Sequence, residues 1–184
     1  MRADYRVFID ACVLADFGAC DLLLRLSEGP RLIVPRWSPD VLEEVRRTHA
    51  EKLNWPPELV DSFQTEIQRA FPDAEITGYE DLLAAVGNDP KDRHVLAAAV
   101  RGGCPLILTY NLKDFPAQAL ARWSVEASHP QDYLLVLYEM EPKRVVGCLG
   151  EIAGRRRLEL EDLLIRLGRT LPCFSGRLLD DLVG

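Results

Sequence analysis

The chain has 184 residues and a formal charge of −7 with its histidines neutral. That length suits one domain with an ordinary core and an appendage, and the acidic balance argues against a protein that coats nucleic acid by charge alone. No apolar run is long enough to cross a bilayer, and the N-terminus lacks the pattern of a signal peptide, so a cytoplasmic protein without a membrane partner is expected.

Tyr5-Arg6-Val7-Phe8-Ile9-Asp10 reads as a buried strand that runs into one carboxylate. A strand buried on both faces belongs to a parallel sheet covered by helices, and an acid at its carboxyl end points into the crevice where such sheets hold ligands. Residues 11–26 carry apolar positions at helical spacing, including Leu22, Leu23 and Leu26, and Gly29-Pro30 ends this helix. Arg31-Leu32-Ile33-Val34-Pro35 is expected as a second strand, completing a βαβ start. Ser38 and Pro39 then open a helix as N-cap and first residue. Val41, Leu42 and Val45 form its buried face. Glu43 lies nearly opposite and is expected to pair with Arg46 or Arg47. Glu44 borders the apolar stripe and leans over the sheet rim, which makes it the better candidate for chemistry. Two solvated glutamates are the plainer alternative.

Residues 58–71 read as an amphipathic helix, 74–77 as a short strand and 79–86 as a short helix. Asp89-Pro90 starts the next helix, with Asp89 as N-cap. Asp92 falls in its first turn on the face of Val95, Leu96 and Ala99, where an acid is costly unless something pairs with it. Stabilisation of the helix dipole is the alternative, and it suits Asp89 better. Gly102-Gly103 ends this helix. Residues 105–109 form a core strand, with Asn111 and Asp114 directly after it, and 124–127 an edge strand. From His129 onward no strand signal remains. Residues 132–140, 142–155, 159–167 and 171–183 read as helices, so a boundary is placed near residue 128, between a 1–128 α/β domain and a 129–184 helical extension. Arg155-Arg156-Arg157 reads as a solvated turn, with an RNA contact as the alternative.

This topology brings Asp10, Glu44, Asp92 and Asp114 to one sheet rim. A ring of carboxylates there suits hard divalent cations, and one or two Mg²⁺ or Mn²⁺ ions would activate water and stabilise the leaving oxygen of a phosphodiester. The five cysteines (Cys12, Cys20, Cys104, Cys148 and Cys173) are odd in number and widely spaced, so reduced, mostly buried thiols are expected.

The ordered set Phe8-Ile9-Asp10-Ala11-Cys12-Val13-Leu14, Trp37-Ser38-Pro39-Asp40-Val41-Leu42-Glu43-Glu44, Asn88-Asp89-Pro90-Lys91-Asp92-Arg93-His94 and Thr109-Tyr110-Asn111-Leu112-Lys113-Asp114 resembles the PIN-domain ribonucleases. It is most similar to the VapC toxins of bacterial toxin–antitoxin pairs, over residues 4–128. The helical tail resembles the C-terminal extension of one VapC branch. The resemblance implies a PIN-like parallel sheet between helices and a Mg²⁺- or Mn²⁺-dependent endoribonuclease. Its partners would be an RNA substrate, a cognate antitoxin and, as a homodimer, a second copy. It implies catalytic roles for Asp10, Glu44 and Asp92, and Asp114 is taken as the fourth catalytic acid. The family's fourth position is often Asp; here it is Asn111, with Asp114 three residues on, so the expected metal ligands are Asp10, Asp92, Asp114 and Asn111. Cys12 stands where many relatives have Asn. Two other readings compete. A phosphatase or receiver domain wants a second acid beside Asp10, where Cys12 stands. A PIN scaffold that binds RNA or a protein without turnover is the alternative from a different class.

Overall fold

The computed structural model describes residues 5–182. Four parallel strands form one sheet: β1 (Arg6–Ile9), β2 (Val34–Arg36), β3 (Leu106–Leu108) and β4 (Glu126–Ser128), in spatial order β2-β1-β3-β4. Val7, Phe8 and Ile9 of β1 and all of β3 are buried, as strands covered on both faces must be. The chain leaves β1 toward β2 on one side and returns to β3 on the other. The order therefore reverses between β1 and β3, and the crevice beyond their carboxyl ends is the natural ligand position of such a sheet.

Ten α-helices surround the sheet among the described residues. Helices α1 (Ala11–Leu14) and α2 (Phe17–Leu26) follow β1, and α3 (Pro39–Arg47) follows β2. Ser38 caps α3, with Pro39 at its start, as the sequence implies. A turn of π-helix (Thr48–Lys52) leads into α4 (Pro57–Ala70). A 3₁₀ turn (Pro90–Asp92) precedes α5 (Arg93–Arg101), whose Val95 to Ala99 are all buried. After α6 (Ala117–Ala121) and β4 come α7 (Pro130–Met140), α8 (Pro142–Arg156), α9 (Leu160–Leu167) and α10 (Pro172–Leu182). These last four are an all-helical region packed on α2 through α8 and α9. One apolar core runs from Val7 to Leu178 through both parts.

Several local expectations need correction. Residues 11–26 are two helices, because Asp16 accepts backbone N–H groups from Gly18 and Ala19 and starts a new helix there. The second strand begins at Val34, later than expected, and Pro35 is tolerated because β2 is an edge strand. Residues 74–77 add only a single bridge, Trp37 to Glu75. Residues 79–86 hold a 3₁₀ turn (Glu80–Leu82) in place of a helix. Arg46 pairs with Asp61 at 2.8 Å, not with Glu43. Of the expected last helix, Val183 lies outside the described residues.

Candidate active site

Asp10 is the first residue beyond β1 and the N-cap of α1. It is nearly buried, at 4 % exposure, and its carboxylate is fixed on both oxygens. Oδ1 accepts from the Ala11 N–H at 2.7 Å. Oδ2 accepts from Thr109 Oγ1 at 2.7 Å and from the Cys12 thiol at 3.2 Å. Thr109 is the first residue beyond β3, so the carboxylate is tied across the β1–β3 switch point. Burial and the charge of Asp10 push the Cys12 thiol up to about 12, so it remains a protonated donor to Asp10.

Asp92 closes the 3₁₀ turn before α5, and its carbonyl accepts from the buried Asn88 amide at 2.9 Å. Burial first, and then the charge of Asp10, raise its carboxyl to about 6; Lys91 opposes this, and Asp114 and Asp89 add to it. The two acids thus share one site. Oδ2 of Asp92 is buried and makes no hydrogen bond to any described residue, with Lys91 Nζ 3.8 Å away.

Glu44 is half-buried, whereas Glu43 is exposed. Oε1 of Glu44 lies 3.2 Å from Nε2 of His94 on α5, an ion-pair contact outside hydrogen-bond geometry. Burial lowers the pKa of His94, but Glu44 outweighs it, with smaller help from Asp40 and Asp10, and the net shift is upward.

Asp10, Glu44, Asp92 and Asn111 all line one groove of about 840 Å³. Asn111 is exposed at its edge, its N–H donating to Thr109 Oγ1 at 3.0 Å. Asp114 is not among the lining residues: it is buried, and Oδ2 is ion-paired with Lys91 Nζ at 3.2 Å. Lys91 therefore stands between Asp114 and Asp92. Arg47, Lys52, Phe17 and Trp55 also line the groove and add basic and aromatic character. Sequence reasoning assigned no role to Thr109, His94 or Lys91, although all three lie inside the quoted motifs. It missed Asp16 altogether, whose Oδ2 accepts from Tyr110 Oη at 2.6 Å.

Mg²⁺ and Mn²⁺ prefer oxygen donors, and Mg²⁺ is commonly held by one or two carboxylates while substrate phosphates and water complete its shell. Asp10 and Asp92, whose Oδ2 makes no hydrogen bond to a described residue, match that donor set. Among the described residues no group of three or more His, Cys, Asp or Glu side chains gathers into a metal cage. The residues fit an open two-carboxylate site rather than a closed one.

Residues 4–113 match the family model described as PIN domain. That span includes Asp10, Glu44, Asp92 and Asn111. The chain is 37% identical over 131 residues to a protein of Mycobacterium tuberculosis (strain ATCC 25618 / H37Rv) named "Putative ribonuclease VapC50", covering 68% of this chain and 78% of that one. No solved structure matches significantly.

Proposed function

The chain belongs to the PIN-domain family, VapC type, and from that premise we propose that it is a Mg²⁺- or Mn²⁺-dependent endoribonuclease acting as the toxin of a toxin–antitoxin pair. The observation that carries this reading is the acid pair at the switch point: Asp10 fixed by Thr109, and Asp92 with a buried Oδ2 that makes no hydrogen bond to a described residue and has only Lys91 near it, at 3.8 Å. In this reading residues 1–128 carry the chemistry and 129–184 are an extension. The partners are RNA, a cognate antitoxin and a second copy, and the setting is the cytoplasm.

Asp10 and Asp92 would hold the cation. When bound there, it would supply a water of lowered pKa and positive charge for the phosphoryl oxygens. Asp10 contributes rigidity, since three donors fix its carboxylate before substrate arrives. Glu44 would take the proton of the attacking water, its carboxylate held by the contact with His94. Asp114 acts through Lys91 as a positioning residue. Arg47 and Lys52 meet the phosphates along the groove.

The second reading, an RNA- or partner-binding scaffold without turnover, is favoured by Asn111 in the fourth position and by the pairing of Asp114 with Lys91. Purified protein mixed with total RNA and Mg²⁺ or Mn²⁺ decides between them. Metal-dependent cleavage that Asp10→Asn abolishes is the expected result. Absence of cleavage with every RNA and metal would leave the scaffold.

A further inference from the structure

A second cavity, on the C-terminal helices, adjoins the groove. This notch holds about 190 Å³, and Asp16, Gly18, Arg156, Arg166, Arg169 and Thr170 are on its wall. Asp16 and Thr170 line both cavities, so the two adjoin. The approach is built into the packing: a Cβ on Gly18 would fall 2.8 Å from Cδ2 of Leu167, so α9 sits tightly on the start of α2. That contact brings Arg166 and Arg169 beside the groove.

The acids at the junction are already committed. Asp16 accepts from the Gly18 and Ala19 N–H groups and from Tyr110 Oη. Asp21 is paired with Arg156 at 2.7 Å and with Arg25 at 2.8 Å. Arg156 also lies over the ring of Phe17, 4.5 Å from its centroid. Arg166 and Arg169 are exposed, with no ion pair to a described residue. The groove wall also carries Phe17, 53 % exposed with Arg156 over one face, and Trp55, edge to face with Phe17 at 6.3 Å and stacked on His49 at 3.9 Å.

Resting on the nuclease reading above, we propose that the notch is a phosphate-binding subsite for the backbone of a single-stranded RNA whose scissile bond lies at the acid pair, with the exposed ring of Phe17 on the groove wall offered to an unpaired base. A chain of net charge −7 must concentrate positive charge locally to hold a polyanion. Guanidinium forks match phosphate oxygens, and unpaired bases stack on aromatic rings. An acidic protein segment would use the arginines but have no need of the ring, which is why RNA is the occupant chosen. The extension then serves substrate affinity, while the chemistry stays with residues before it.

The test is fluorescence anisotropy with a labelled single-stranded RNA of roughly 12 nucleotides, in chelator, over a salt series. The full chain is compared with Arg166→Ala/Arg169→Ala, with Phe17→Ala, and with Lys143→Ala/Arg122→Ala, which removes the same charge outside both cavities. The notch double variant is expected to bind roughly tenfold more weakly, with a salt slope lower by about 1.4, or 0.7 per lost phosphate contact. Phe17→Ala is expected to weaken binding about tenfold with the slope unchanged. The control pair should match wild type. In Mg²⁺ the notch variant should raise KM and leave kcat in place. If the notch variant binds RNA like the control pair, the subsite is overturned, and cleavage by wild type would still support the nuclease reading. Arginine-dependent RNA binding without cleavage would keep the subsite and overturn the nuclease reading. Arginine-dependent binding of a poly-glutamate peptide with no effect on RNA would overturn the proposal in favour of a protein partner.

Discussion

Glu44 and His94 face each other at 3.2 Å, joining α3 to α5 over the rim of the sheet. The contact separates two adjacent glutamates that composition cannot tell apart. Glu44→Gln should lower kcat by about 10²- to 10⁴-fold, the range of a general base. Glu43→Gln, on the exposed side of α3, should stay within about twofold of wild type. Steady-state kinetics on one RNA checks this, and equal losses would contradict the assignment.

The same pair predicts a pH dependence of stability in chelator. The folded pKa of His94 lies above its ordinary 6.5, so its contribution is full below 6.5 and is lost as pH rises through the folded value. Asp92 has the same sign at lower pH. Its folded value of about 6 exceeds the ordinary 3.8, so stabilisation present below 3.8 disappears as pH rises through about 6. Asp92→Asn should flatten the lower part of the profile and stabilise the metal-free protein at neutral pH by roughly 1 kcal/mol, solvent at the groove screening the rest. Glu44→Gln should flatten the upper part. Thermal melts from acid to mildly basic pH give the answer. A metal-free Asp92→Asn protein that melts well below wild type would mean Asp92 serves the fold.

Thr109→Val keeps shape but removes the hydroxyl that Asp10 and the Asn111 N–H both use. Depriving the buried Asp10 carboxylate of this donor should cost about 1–3 kcal/mol. Misplacing the Asp10 carboxylate should also lower cleavage by roughly tenfold to a hundredfold. Denaturant melts and initial rates measure the two effects separately.

The helical region shares one core with the sheet. Leu149 is fully buried on α8, which packs on α2. Leu149→Ala should cost about 2–5 kcal/mol and shift a single cooperative transition. Two separate transitions in calorimetry would show that the extension folds on its own.

Much of this was legible in the residues. Apolar runs ending in Asp10 and Thr109 marked the central strands, and Ser38-Pro39 marked a helix start that the structure keeps. Apolar periodicity could not see the break at Asp16, because a capping carboxylate competes with the helix at a point the pattern runs straight through. Nor could it see which charges would find each other. Asp114 looked like a fourth rim acid from its place after β3, yet it meets Lys91 beneath the groove. The arginines of the tail acquired a neighbour at the groove only through the packing of α9 on Gly18.

Asp10 and Asp92 together are expected to hold a divalent cation. Calorimetric titration of Mn²⁺ into metal-free protein tests it most directly, with wild type beside Asp10→Asn, Asp92→Asn and Asp114→Asn. Wild type should bind, Asp10→Asn and Asp92→Asn should lose binding almost completely, and Asp114→Asn should retain weaker binding, because Lys91 is left free to lean on Asp92. Undiminished Mn²⁺ binding by Asp10→Asn or Asp92→Asn would contradict it.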